Sequence, residues 1–269
     1  MKKKAIVMLI VSLLLIAVMV IVSFLLIQEN FTSAKTSANY IYPTFNPKEG
    51  QKIVSICFDD GWLSTYFNAT PILDQYGFKA SFAIITKYAD NNYPAYMNWI
   101  DIENLSRNGQ DIESHSYNHL SLATLDNASI IYQLSQSKQD LNNHNIKPGI
   151  FVYPNGSGSR NATVENLVQK YYFAARGITT EQLNITQSFD KFALPCHVIT
   201  NKTTTADFEK IVNQANNSTV EIIVYHKIDG ENVDTATTPQ MFASQMQYLK
   251  ENNFTVVTMQ QLVMSSTHN

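Results

Sequence analysis

A chain of 269 residues, 45% hydrophobic and 15% charged, carries enough apolar material for one large domain or a domain with an appendage, and excludes global disorder. The net charge is −3, and beyond Lys2, Lys3 and Lys4 there is no basic stripe, so nucleic acid is not an expected partner. Cys57 and Cys196 are the only cysteines, too few for a Cys-rich zinc site; whether they pair outside the cell or remain buried free thiols is open at this point.

The three lysines precede AIVMLIVSLLLIAVMVIVSFLLI, residues 5–27, which carry no charge. As a helix this run spans roughly 34 Å, against a hydrocarbon core of about 30 Å. It predicts a transmembrane anchor over residues 1–27, lysines in the cytoplasm and the rest of the chain outside the cell membrane. The competing reading is a long signal peptide, cleaved to release a secreted protein. Residues 28–50 are polar, hold two prolines and show no period, and read as a linker. Eleven Asn-X-Ser/Thr triplets suit a glycosylated surface or simply an Asn- and Thr-rich composition.

From Lys52 onward, short apolar runs alternate with amphipathic stretches. KIVSICF, residues 52–58, reads as a strand, and residues 64–76 as a helix ended by Gly77. KASFAII, 79–85, is a second strand, and Asn98 caps a helix that runs to Asn108 and stops at Gly109. QDIES, 110–114, is a third strand, and Asp126 opens a long polar helix to Asn143. GIFVY, 149–153, is the fourth; a helix over 163–170 then leads into the strand YYFAA, 171–175. A helix near 205–215, the strand VEIIVY at 220–225, a helix over 239–251, the strand FTVVT at 254–258 and a short terminal helix complete the chain. This alternation predicts one α/β domain over residues 51–264, with a mainly parallel sheet, open or closed into a barrel.

In such folds reactive groups sit at the C-terminal ends of strands. Asp59 and Asp60 end the first strand, His115 follows the third, Tyr153 and Pro154 end the fourth, and His226 ends 220–225. All fall on one rim. Adjacent carboxylates repel and raise each other's pKa. A chain accepts that at a turn in water, or where a cation or a proton transfer uses both groups. His115 and His119 lie four apart, which on a helical turn places both imidazoles on one face. Alone such a pair is equally a solvated one. With an aspartate it makes a three-ligand site that leaves a coordination position open, the catalytic pattern.

FDDG at 58–61, HSYNH at 115–119, FVYPNG at 151–156 and IIVYH at 222–226 come in the order and spacing of the polysaccharide deacetylases, the NodB-homology group or carbohydrate esterase family 4, which residues 50–262 resemble. The resemblance implies a distorted (β/α) barrel, here preceded by the N-terminal helix. It implies Asp60, His115 and His119 as ligands of a divalent metal; Zn2+ suits two imidazoles and a carboxylate, although other divalent ions bind such sites. It implies Asp59 as the base on a metal-bound water and His226 as the acid on the leaving nitrogen. A backbone N–H near Asn155 would assist the oxyanion. The implied substrate is a polysaccharide or oligosaccharide of N-acetylhexosamine units, and the products are acetate and a free amino sugar. Tyr153, Pro154, Asn155 and Trp62 are candidate substrate contacts, with Trp62 stacking on a sugar ring or packing in the core.

The departures from the family pattern are specific. Val152 stands near the place of an arginine that orients the base, Asn155 where a tyrosine is common, and Cys196 where an arginine often follows Leu-Pro. Arg176 is the candidate substitute cation for Asp59, the alternative being a structural arginine. Asp190 is the candidate acidic partner of His226, the alternative being a loop residue. Two other readings stand beside the N-deacetylase. One is an O-acetyl esterase or non-sugar amide hydrolase on the same groups. The other is a membrane-tethered glycan-binding module without catalysis, against which Asp59 and His226 argue, because binding needs neither a base nor an acid.

Overall fold

The computed structural model of the chain describes residue 48 and residues 50–266. The expected anchor and nearly all of the expected linker lie outside the described residues. Among those described, no helix is long and apolar enough to cross a membrane.

Strand β1 (Lys52–Phe58) is the centre of the sheet, and it is buried from Ile53 onward. On one side it pairs in parallel with β8 (Thr219–Tyr225), from Ile53↔Val220 to Phe58↔Tyr225. On the other side its first half pairs with β11 (Phe254–Val257) and its last two residues with β2 (Ser81–Ile84). The parallel order continues through β3 (Asp111–Ser114), β4 (Ile150–Val152) and β5 (Ala174–Arg176). The short β6 (Leu183–Asn184) lies antiparallel on β8. Residues 194–198 meet both flanks of the sheet: Leu194 bridges to Arg176, and β7 (His197–Val198) pairs with β8. The result is a curled, mainly parallel sheet with an inside and an outside.

Side chains alternate across that curl, as the pleat requires. Val54, Ile56 and Phe58 face outward into one cluster with Phe82, Ile84, Phe208 and Phe242. Ile53 and Cys57 belong to a second cluster with Ile150, Ala174, Leu194, Cys196 and Val224. Both faces of the central strands are therefore buried, which is why they read as unbroken apolar runs. Cys57 and Cys196 are both buried free thiols.

The helices are α1 (Thr70–Tyr76), α2 (Thr86–Asp90), α3 (Trp99–Arg107), α4 (Asn127–Asn143), α5 (Ala162–Val168), α6 (Thr205–Val212), α7 (Pro239–Glu251) and α8 (Met259–Ser266). The expected Asn98 cap is a full capping box: its Oδ1 accepts from the Ile100 and Asp101 N–H groups, and the Asp101 carboxylate accepts from the Asn98 N–H. The helix expected over 64–76 is split. Residues Thr65–Ala69 form a wider π turn before α1 begins. Pro71 has no N–H to return to the preceding turn, and the wider winding accommodates that gap. The strand expected over 171–175 starts only at Ala174, because Tyr172 leaves the sheet to pack in a third cluster under α4, where its hydroxyl donates to the Leu134 carbonyl. The two-residue strands β6, β7, β9 (Lys227–Ile228) and β10 (Ala236–Thr237) and the five-residue α2 are too short to leave a period in the sequence.

Candidate metal centre and catalytic cluster

The chain turns sharply where β1 ends. Asp60 and Gly61 both take left-handed backbone conformations, φ 73° and 76°. The turn is thus shared by an aspartate, which tolerates this region better than most residues, and by a glycine. It breaks the pleat, so that Asp59 continues inward along the strand while Asp60 swings over the rim.

Residues His115–His119 form no helical turn; they are a loop after β3. Ser116 and His119 have φ near 65°, and the Ser116 hydroxyl accepts from the His119 N–H at 2.9 Å. Two left-handed residues fold the loop back on itself, and this, rather than helical spacing, brings the imidazoles together. Asp60 Oδ1 is 3.3 Å from His115 Nε2 and 3.3 Å from His119 Nε2, and the two nitrogens are 3.1 Å apart.

This donor set fits a divalent cation. His115 Nδ1–H donates to the Val152 carbonyl at 2.8 Å, which fixes the tautomer and turns the Nε2 lone pair toward the cluster. A tetrahedron with corners about 2.0–2.1 Å from its centre has edges of about 3.3 Å, close to the separations of these three atoms. Among the described residues this is the only cluster of three His, Cys, Asp or Glu side chains with metal-ligand spacing.

The electrostatics agree. For Asp60, burial favours the neutral acid, but the hydrogen bond and charge of His115, with His226 and His119 beyond, outweigh it and hold the carboxylate well below its usual range. Burial likewise opposes ionisation of Asp59, and the Arg176 guanidinium beside it, helped by His115 and His226, wins and lowers its pKa. Burial and the neighbouring His115 push His119 down to about 4. Burial pulls His115 down too, but its hydrogen bond to Asp60 and the charges of both aspartates reverse the sign and raise it.

The structure brings Arg176 to Asp59. Arg176 is fully buried, and its Nη2 donates to Asp59 Oδ1; its Nη1 donates to the Gly177 carbonyl at 3.2 Å and meets Cys196 Sγ at 3.3 Å. Val152 and Arg176 are register partners on β4 and β5. The cation absent from position 152 is therefore supplied from the position directly beside it, one strand over. His226 is half-buried at the end of β8, close enough for its charge to act on both aspartates. Its Nδ1 is buried with no hydrogen-bond partner among the described residues.

The remaining expected residues are placed differently. Tyr153 and Pro154 are buried, Tyr153 edge-on to Phe151 at 5.3 Å, so that of the Tyr-Pro-Asn run only Asn155 is exposed. Trp62 is not a bare platform for a sugar: its ring stacks on Tyr96 at 4.3 Å and lies under Lys227 Nζ at 4.7 Å. Asp190 accepts the Phe192 N–H at 2.8 Å, and the titrating groups that feel its charge include Tyr153, Glu165 and Arg160. It thus caps the turn that leads into Phe192. Glu113 went unnoticed in the sequence. Burial first, then the charge of Asp111, pushes its carboxyl well up, so it sits neutral beside the Asp59–Arg176 pair. The signal was present in QDIES, where Asp111 and Glu113 alternate with the outward Ile112.

These shifts predict the proton stoichiometry of metal binding. At pH 7 His119 is already neutral, whereas His115 resists losing its proton. Loading a divalent ion therefore displaces protons from His115 rather than from His119, at most one per ion, and affinity rises with pH. Calorimetry in buffers of different ionisation enthalpy measures this; release of two protons, or affinity flat with pH, contradicts the assignment.

Comparison with known proteins places this geometry. Residues 46–175 match the sequence profile of the polysaccharide deacetylases. YxkH of Bacillus subtilis, provisionally named a polysaccharide deacetylase, is 30% identical over 127 residues, which is 43% of this chain and 45% of that protein. The chain thus spans less than half the length of that relative. Among solved structures, the Xyl-CE4 domain of a multidomain xylanase from the hindgut metagenome of Trinervitermes trinervoides superposes with a TM-score of 0.59 at 22% identity, over 81% of this chain and 93% of that one. The peptidoglycan deacetylase PdaC of Bacillus subtilis superposes with a TM-score of 0.57 at 16% identity, over 81% and 92%. At these identities the superpositions establish the shared fold, and the profile match to the polysaccharide deacetylases is carried by residues 46–175, which hold the Asp-Asp and His-x-x-x-His motifs.

Proposed function

We propose that the protein is a metal-dependent hydrolase that removes N-acetyl groups from N-acetylhexosamine units of a polysaccharide. The observation that carries this reading is the convergence of Asp60, His115 and His119 beside a buried, ionised Asp59 that is pinned by Arg176. A divalent ion held by the three ligands supplies Lewis acidity, acidifying a water and polarising the acyl carbonyl.

The chain's own groups do the rest. Asp59, ionised and fixed by Arg176, takes the proton of the attacking water. Arg176 also keeps the carboxylate from rotating away. His226, across the rim at the end of β8, gives a proton to the nitrogen as the C–N bond breaks. Water's oxygen and one of its protons go to the acetic acid, its other proton goes to Asp59, and the amine takes its proton from His226; loss of the proton from Asp59 and its regain by His226 through solvent balance the hydrolysis. An amide needs this acid more than an ester does, because an unprotonated amine is a poor leaving group. The pairing of Asp59 with His226 therefore favours the N-acetyl substrate over an O-acetyl ester on the same site. The uncharged run at residues 5–27 behind three lysines supports display outside the cell on a membrane tether.

Two tests follow. The full chain incubated with N-acetylglucosamine oligomers should release acetate, lose that activity to a chelator and regain it with added metal. Asp59→Asn should lower turnover by at least 100-fold with metal still bound, and His115→Ala should lose both. Undiminished turnover in Asp59→Asn removes the base, and acetate release only from O-acetylated sugars moves the substrate to esters. Separately, a tethered chain stays in the membrane pellet after an alkaline carbonate wash, and recovery of a shortened chain in the medium means cleavage instead.

A further inference from the structure

We propose that Trp62 is a positioning residue for the metal centre, holding Asp60 in ligating orientation through its indole N–H. This inference rests on the metal reading of the Asp60, His115 and His119 cluster. Trp62 Nε1–H donates to Asp60 Oδ2 at 2.9 Å, while Oδ1 of the same carboxylate faces both histidines. The two oxygens are thus divided: one is committed to the indole and the other is left for the cation. A carboxylate anchored through one oxygen cannot rotate about its terminal torsion without losing that bond.

The backbone makes such an anchor necessary. Asp60 sits in the left-handed region and is followed by Gly61 in the same region, so the main chain there gives the side chain little support. The indole is itself fixed. Its ring stacks on Tyr96 at an interplanar angle of 25°, Tyr96 packs against Tyr88 at 4.5 Å, and the backbones of Trp62 and Tyr96 form an antiparallel bridge. Lys227 lies over the ring and is held there by Asp229 and Glu231. Lys227 directly follows His226, so the same brace ties the loop after β8 to the loop after β1. The aromatic residue that the sequence offered as a sugar platform or a core ring thus acts on the carboxylate two positions before it.

Groups that orient a ligand typically change metal affinity about 10–100-fold when removed. The test is Co2+ affinity of the full chain, measured by competition with a chromophoric chelator and by the visible absorption of bound Co2+. Trp62→Phe keeps an aromatic ring and removes the donor; 3-benzothienylalanine at position 62 keeps the bicyclic shape with sulfur in place of N–H, and serves if the phenylalanine variant misfolds. Both should bind Co2+ about 10–100-fold more weakly than wild type with an altered spectrum. Trp62→Gln, which restores an N–H donor, should recover part of the loss. Lys170→Met, an exposed change that touches none of these groups, should leave the affinity and spectrum as in wild type. Wild-type affinity and spectrum in the benzothienyl variant overturn the inference. Absence of Co2+ binding by wild type overturns the metal reading itself, and the inference with it.

Discussion

The ion pair between Asp59 and Arg176 is the constraint on which the rest of the site depends. It joins the end of β1 to the end of β5 across the inside of the sheet, between residues 117 positions apart in sequence. A fully buried guanidinium without a counter-charge is untenable, and removing either partner of such a pair costs about 3–5 kcal/mol. The other titratable groups nearby do not compete for the role. Burial pushes Cys57, Cys196 and Glu113 up, so that all three stay neutral. Asp59 is left as the anion that Arg176 must find, and it is therefore ionised and oriented before any substrate arrives. The same pair that stabilises the inside of the sheet thus holds an ionised carboxylate ready beside the Asp60, His115 and His119 cluster.

The departures from the family pattern make sense as one exchange. Position 152 holds valine where an arginine is expected, and position 176, its register partner, holds the arginine instead. Position 196 holds cysteine where a second arginine often stands, and its sulfur lies 3.3 Å from Arg176 Nη1. Two guanidinium groups at that distance inside a sheet would repel with nothing to screen them. A neutral thiol that accepts a hydrogen bond is what the space next to Arg176 allows. Val152, as register partner, and Cys196, through its sulfur, thus both adjoin the one buried guanidinium of Arg176.

Most of the fold could be read from the sequence: β1 and β8, buried along nearly their whole length, read as largely apolar runs, and β3 and β11 also lie within a residue of where QDIES and FTVVT place them. The two-residue strands β6, β7, β9 and β10 and the five-residue α2 were missed, since they leave no period in the sequence. The Asp60, His115 and His119 cluster was also legible as polar groups at strand ends, but the reason for its convergence was not. Helical spacing suggested how His115 meets His119, whereas left-handed Ser116 and His119 accomplish it, and residue type does not announce positive φ outside glycine and asparagine. Tyr153 and Trp62 illustrate a second limit. Both stand beside the motifs, and a sequence cannot tell an aromatic ring that faces a groove from one packed against its neighbours.

The central claim is that Asp60, His115 and His119 hold one divalent ion beside Asp59. Its most direct test is a crystal of the protein soaked in Co2+, with anomalous difference maps recorded on either side of the cobalt edge. The account predicts a single strong peak about 2.0–2.2 Å from Asp60 Oδ1, His115 Nε2 and His119 Nε2, with Asp59 outside the coordination sphere and still paired to Arg176. No peak within the three side chains at saturating cobalt, or a peak bound through Asp59 instead of Asp60, would contradict it.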